Sequence, residues 1–296
     1  YKNLVSGVTI VSDHMPHFVG DQFYDLLPIK AIRRFAIAHS ISGTALAWGD
    51  GVADEYAKAK TQGIPFVTHI SEGFDDETVR NLDTLDRQGG LGPYSVLVHG
   101  IAFSEKDMDR IKSKDASVVW CADSNMFMFN RTTDIEMLLR KGINVCIGTD
   151  SPMSGGLNLL YEMKFDKALY KKLCSKELND REILRMVTAN PAKAFHLKNN
   201  GAIAEGYIAD LTMFRDRGGA PENSVVSAEL KDVMLVVIDG RPVYGDREFE
   251  DVFRELKVDY QEIVLDGEEK VVTGDLTGLL RRISRAVGFK KQFPFL

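Results

Sequence analysis

Six short apolar runs alternate with helical patterns, and five of them close on a histidine or an aspartate; this repeat constrains the fold more than any other feature of the chain. The runs are Val8–Asp13, Phe35–His39, Phe66–His69, Ser95–His99, Ser117–Cys121 and Asn144–Thr149. Each is apolar through most of its length, as expected of strands buried on both faces. Helical periodicities fill most of the intervals, at Glu55–Thr61 before Gly63, Asp75–Gln88 before Gly89-Gly90, Glu105–Lys112 and Thr133–Lys141. Repeated βα units predict a parallel sheet or a barrel. His14 follows the first run, His39, His69 and His99 end the next three, and Asp150 follows the last. In a (β/α)8 barrel the C-terminal strand ends converge on one face, whereas an open doubly wound sheet spreads them along an edge. No G-x-G-x-x-G follows any run, which removes the case for a dinucleotide fold. The expected fold is therefore α/β, a TIM-type barrel.

Six runs fall short of the eight that a barrel needs. One strand is expected upstream of Tyr1, leaving the barrel incomplete at its N-terminus. The other is expected between His14 and Phe35, where roughly 20 residues hold one crossover but hardly two. Either the barrel is shortened there or residues near Gly20–Lys30 are left out. After Pro191 the texture changes to short strands with Gly, Asn and Asp turns, and Asp239-Gly240 is a hairpin signal. The predicted division is a barrel over 1–199, part of a small β-sandwich over 200–246, and a tail over 247–296 with one helix-like stretch at Leu276–Val287.

Charge and cysteine usage narrow the function. The net charge is −6 with no basic block, which gives no reason to expect a nucleic-acid partner. Three cysteines, Cys121, Cys146 and Cys174, with no C-x-x-C, fit a reduced, cytoplasmic protein. No apolar run approaches the ~20 residues of a membrane span, and no signal peptide is visible.

Three elements carry chemistry. In Thr68-His69-Ile70-Ser71-Glu72 a strand-ending imidazole can ligate a metal, while a carboxylate three residues on can move a proton of a bound water. Val98-His99-Gly100 and Gly148-Thr149-Asp150-Ser151 are the others. Taken singly, the first two are more often a core histidine with a capping Glu or a structural histidine, and the third is as often a helix cap. Taken together, in this order on successive strands, they offer the N and O ligands that Zn²⁺ or Fe²⁺ accepts.

The pattern resembles the amidohydrolase superfamily, in the branch that holds guanine deaminase, the adenosine-derivative deaminases and the triazine hydrolases. The resemblance rests on VTIVSDH, FVTHISE, VLVHG, VVWCADSNMFM and VCIGTDSPMSGG, then on TANPAKAFHL, GAIAEGYIADLTMF and VVIDGRPVYGD. It runs from about Val5 to Gly245 and is specific to the superfamily, not to a substrate. It implies that His69 and Asp150 ligate the metal, that Asp150 also accepts a proton from the hydrolytic water, that Glu72 shuttles the proton, and that His99 orients the water or the developing oxyanion. His39 stands where two-metal relatives carry a bridging Lys, which implies one divalent metal, zinc ahead of iron, and leaves His39 to contact substrate. Asn125 lies where relatives fix the loop after the strand. The family takes two further ligands from an H-x-H on its first strand, and the sequence has none; His14 and His17 form an H-x-x-H on a different strand.

The implied activity is metal-assisted hydrolysis of a carbon–nitrogen bond in a small molecule, either deamination of a nitrogen heterocycle or amide cleavage. Two alternatives stand beside it: displacement of a ring substituent from an aromatic nitrogen heterocycle, and an inactive barrel serving as a binding or assembly subunit. A homodimer is expected by analogy alone.

Overall fold

A computed structural model of the chain describes residues 1–13, 20–41, 49 and 51–290. His14 and His17 lie outside the described residues. Strands β1 (Ile10–Val11) and β2 (Lys30–Ala31) form a short parallel pair. Strands β3 (Ala36–Ser40), β4 (Phe66–Ile70), β5 (Ser95–His99), β6 (Ser117–Trp120) and β7 (Asn144–Ile147) form one parallel sheet. Their spatial order is their chain order, with no reversal, which is the winding of a barrel wall. The helices Val52–Gln62, Asn81–Arg87, Glu105–Ser113 and Ile135–Arg140 return the chain between successive strands.

Both faces of this sheet are buried, each by a different set of side chains. Val67, Val96, Val98, Val119, Cys121 and Cys146 alternate onto one face and pack together with Ala194. Phe66, Leu97, Val118, Trp120, Val145 and Ile147 alternate onto the other and join the larger core under the helices. That two-sided burial is why the runs read as continuous apolar segments rather than as alternating ones.

The strand expected in the interval before Phe35 is present, though only two residues long. Lys30–Ala31 lacks an apolar run, and its pairing with β1 is what defines it. The helix expected over Asp75–Gln88 begins later. The Asp75 carboxylate accepts from the amides of Glu77 and Thr78, at 2.9 and 3.0 Å, and folds that segment into a turn. The helix Glu105–Ser113 starts as its sequence directs, with a reciprocal capping box between Ser104 and Asp107.

The C-terminal part holds five antiparallel strands: β8 (Leu211–Phe214), β9 (Val233–Ile238), β10 (Arg241–Asp246), β11 (Gln261–Leu265) and β12 (Glu268–Val272). Their order is β11-β12-β10-β9-β8, so the sheet runs on past Asp246 into the residues read as a tail. The β11–β12 hairpin turns through Asp266 and Gly267, both with positive φ, as the β9–β10 hairpin turns through Asp239 and Gly240. Two contacts tie this sheet to the N-terminal residues. Lys30 pairs with Asp210 at 2.8 Å, and the Thr212 hydroxyl donates to the Gly7 carbonyl at 2.7 Å.

Candidate metal centre

The C-terminal ends of β4, β5 and β7 bring His69, His99 and Asp150 together. One ligand atom from each lies within 4.8 Å of the others. Ser71, His99 and Asp150 all have positive φ, at 50°, 75° and 52°. Left-handed backbone at the strand exits breaks the two-residue alternation and re-aims the side chains, a strain that non-glycine residues hold only where the surroundings enforce it. Gly100 follows His99 with a positive φ of its own, and a Cβ there would run into the Phe103 ring.

Hydrogen bonds fix which nitrogen each imidazole offers. The Nδ1 of His69 lies 2.7 Å from the His39 carbonyl oxygen. A carbonyl only accepts, so Nδ1 carries the hydrogen and Nε2 keeps its lone pair. The Nδ1 of His99 lies 2.9 Å from Asn125 Oδ1. Thr132 Oγ1 accepts from Trp120 Nε1 at 2.7 Å and from Asn125 Nδ2 at 3.1 Å, which orients the amide with its oxygen toward His99. His99 therefore also donates from Nδ1 and keeps Nε2 as a donor atom for a metal. Burial lowers the pKa of both rings, for His69 with the neighbouring His99 adding to it. Both are thus held neutral, the form that ligates.

The carboxylates divide in the opposite sense. Burial opposes ionisation of Asp150, but the Ser124 hydroxyl, His99, the Ser151 amide and His69 together hold its carboxyl below the usual range. Ser124 donates to Asp150 Oδ2, and Ser154 reaches the same oxygen at 3.2 Å. Glu72 lies with Oε1 3.5 Å from His99 Nε2, and burial and the nearby Asp150 raise its pKa. One carboxylate kept ionised beside another kept easily protonated is the division that acid–base chemistry requires.

Of the residues singled out in the sequence, His39, His69, Glu72, His99, Asn125 and Asp150 lie in or against this cluster, and His14 and His17 lie outside the described residues. His69, His99, Asp150 and Glu72 converge directly, and Asn125 contacts His99. His39 acts through its backbone carbonyl, and its ring lies 4.9 Å from that of His69, tilted by 50°. Thr132 is a contributor that sequence reasoning passed over, while Ser124 and Ser154 stand in the motifs VVWCADSNMFM and VCIGTDSPMSGG with no role in the centre expected of them. The aromatic and methionine cluster after β6 is turned outward in part: Phe127 and Met128 are exposed because Ala122, Ser124 and Asn125 take the buried face of the helix Ala122–Phe129. Phe129 meets Phe74, from the loop after β4, edge-on at 6.3 Å.

Three neutral or anionic donors of N and O type, with the histidine tautomers fixed from behind, fit a divalent cation as part of its ligand set.

The sequence profile of the amidohydrolase family matches residues 57–243. A 5-methylthioadenosine/S-adenosylhomocysteine deaminase of Pyrococcus furiosus is 35% identical over 209 residues, covering 65% of this chain and 50% of that protein. The chain thus spans about half the length of the curated relatives it matches. Among solved structures, an adenosine deaminase from Xanthomonas campestris with bound zinc superposes with a TM-score of 0.65 at 20% identity, covering 86% of this chain and 71% of that one. Guanine deaminase of E. coli superposes with a TM-score of 0.60 at 19% identity, covering 70% and 55%. At such identities the likeness is one of fold.

Proposed function

The chain belongs to the amidohydrolase family, and from that premise we propose that it is a metal-dependent hydrolase that deaminates a nitrogen heterocycle of the adenosine type. The observation that carries this reading is the meeting of His69, His99 and Asp150 within 4.8 Å, with Glu72 3.5 Å from His99. His69 and Asp150 would hold one divalent metal, zinc ahead of iron, with His99 close enough to join them or to orient the water. When bound, the metal supplies the Lewis acidity that makes water a nucleophile near neutral pH.

The chain's own residues do the rest. The ionised Asp150 accepts a hydrogen bond or a proton from the attacking water. Glu72, whose raised pKa favours holding a proton, takes one proton of the water and delivers it to the ring nitrogen; the second proton, released from the added hydroxyl as the carbon–nitrogen bond breaks, passes through Asp150 to the amine, which leaves as ammonia. His99, neutral and fixed through Asn125, holds its Nε2 toward the reacting centre. The His39 ring, beside that of His69, suits contact with a flat heterocycle. The substrate is a small molecule. The cytoplasmic setting belongs to the same reading, since Cys121, Cys146 and Cys174 are all free. Among the described residues no helix is long and apolar enough to cross a membrane.

The test is zinc content of the purified chain, followed by ammonia release from adenosine-type nucleosides with and without added zinc. Replacing Glu72 by Gln should leave zinc binding intact and lower kcat by about 100- to 10,000-fold. Turnover that is equal in the parent and in Glu72→Gln would overturn the assignment of the proton shuttle. Release of a halide or alkoxide from a substituted triazine, without ammonia from any nucleoside, would move the reading to ring-substituent displacement. No zinc uptake by protein with an intact N-terminus, even after reconstitution, would support the binding subunit instead.

A further inference from the structure

Behind the centre lies a side chain that the chemistry above does not use. Glu162, on the helix Leu159–Cys174, is fully buried, and its Oε1 accepts the Asp123 backbone N–H at 3.1 Å. Asp123 opens the turn that carries Ser124 and Asn125, the two residues that contact Asp150 and His99. The second oxygen, Oε2, lies against the backbone of Gly156 so closely that a Cβ there would collide with it. Gly156 ends the loop that leaves β7 through Asp150 and Ser154. That loop is itself folded tightly: the Gly155 amide donates to the Ser151 carbonyl at 2.8 Å, and a Cβ on Gly155 would run into the Thr149 carbonyl oxygen.

We propose that Glu162 is a positioning residue for the metal centre: its carboxyl group joins the first turn of the helix Ala122–Phe129, which follows β6, to the exit loop of β7, and so holds Ser124 against Asp150 and Asn125 against His99. The proposal rests on the reading of this cluster as a metal-binding hydrolase site. A carboxyl buried this completely is costly unless it does something that an apolar residue cannot. Burial pushes its pKa up to about 7 although the amides of Asp123 and Gly156 oppose the shift. In its neutral form it still offers an acceptor oxygen to the Asp123 amide, a bond that glutamine keeps and leucine loses.

Two measurements on the full chain separate this proposal from the reading it rests on. The first is amide hydrogen exchange at Asp123, Ser124 and Asn125 in protein stripped of metal. The second is zinc affinity by competition with a chromophoric chelator. Glu162→Leu should speed exchange at Asp123 by about tenfold or more and weaken zinc binding by about tenfold. Glu162→Gln should match the parent in both. Gly156→Ala, which pushes the carboxyl aside while leaving Glu162 itself unchanged, should reproduce the leucine result, and it serves if Glu162→Leu does not fold. If the parent binds zinc and none of the variants shifts either readout, Glu162 does not position the centre. Faster exchange in Glu162→Leu with rescue by Gln, in a chain that binds no zinc, would uphold the bracket and remove the hydrolase reading alone.

Discussion

At the residue scale the centre depends on hydrogen bonds that choose a tautomer. His99 is 1% exposed and presents Nε2 because Asn125 holds Nδ1–H, and Asn125 is in turn oriented by Thr132 and Trp120. Replacing Asn125 by Leu removes the acceptor and leaves a buried N–H without a partner. The expected result is zinc affinity lower by about 10- to 100-fold, with the fold retained by circular dichroism. Unchanged affinity would show that His99 needs no such orientation. The buried acids make a second prediction. Glu162 and Asp166 lie one helical turn apart, and both Asp166 oxygens lack a hydrogen-bond partner among the described residues. Burial raises both carboxyls, Glu162 to about 7, with Glu162 adding to the shift at Asp166. Asp123 and Asp150 add negative charge near Glu162, and Lys2 is the cation close to it. A carboxyl whose folded pKa lies above its unfolded value binds its proton more tightly in the native state. The contribution of Glu162 to stability should then be full below about pH 4 and be lost as pH rises from there through about 7, with Asp166 shifting in the same direction. For Glu162 the loss is of order 3 kcal/mol at most. Urea titrations of the parent and of Glu162→Leu/Asp166→Leu between pH 4 and 8 test this; the double variant should have the flatter profile, and parallel profiles would refute the assignment.

At the scale of elements, what the sequence made legible was whatever has a period or an ending. The five strands β3 to β7 appear within a residue or two of where apolar runs predicted them, because burial on both faces leaves an uninterrupted signal. His69, His99 and Asp150 were legible because each closes such a run. The hairpin β11–β12 was harder, since Glu262, Glu268 and Glu269 leave it too polar for a core strand, although Asp266-Gly267 carries the same turn signal as Asp239-Gly240. Glu162 and Asp166 were illegible as buried groups, although they share a helix face with Met163, Leu169 and Tyr170. Within the small sheet, Lys270 of β12 is fully buried. Its ammonium pairs with Asp246 and donates to the carbonyls of Lys231 and Val233, at 3.1 and 3.0 Å. Replacing Lys270 by Ala leaves Asp246 Oδ1 without its ammonium partner, with Arg215 on the other oxygen, and strands two carbonyls; it should cost about 3–5 kcal/mol in chemical denaturation. A loss below about 1 kcal/mol would mean that water or Arg215, 3.1 Å from Asp246, takes over the pairing.

At the scale of the whole molecule, the small sheet behaves as one unit only if its last two strands belong to it. β12 pairs with β10 across Tyr244, Gly245 and Asp246, and β11 pairs with β12 along its full length. Val271 and Val272 are fully buried, as is Tyr244 opposite them. The N-terminal segment also closes on this region, where the Tyr1 hydroxyl donates to the Thr273 carbonyl at 3.1 Å. A chain cut after Asp246 would therefore expose Tyr244 and leave β10 as an open edge, a template for pairing with other chains. A chain cut after Gly274 would keep every strand and lose only the helix Leu276–Val287, with the buried side chain of Leu276. The first truncation should aggregate, or melt well below the parent, with scattering that grows with concentration. The second should stay monodisperse and lose roughly the 2–5 kcal/mol of one buried leucine or less. If the cut after Asp246 instead gave a soluble protein with the parent's melting temperature, the unit would end there, and the hairpin 261–272 would be an appendage to a sheet complete without it.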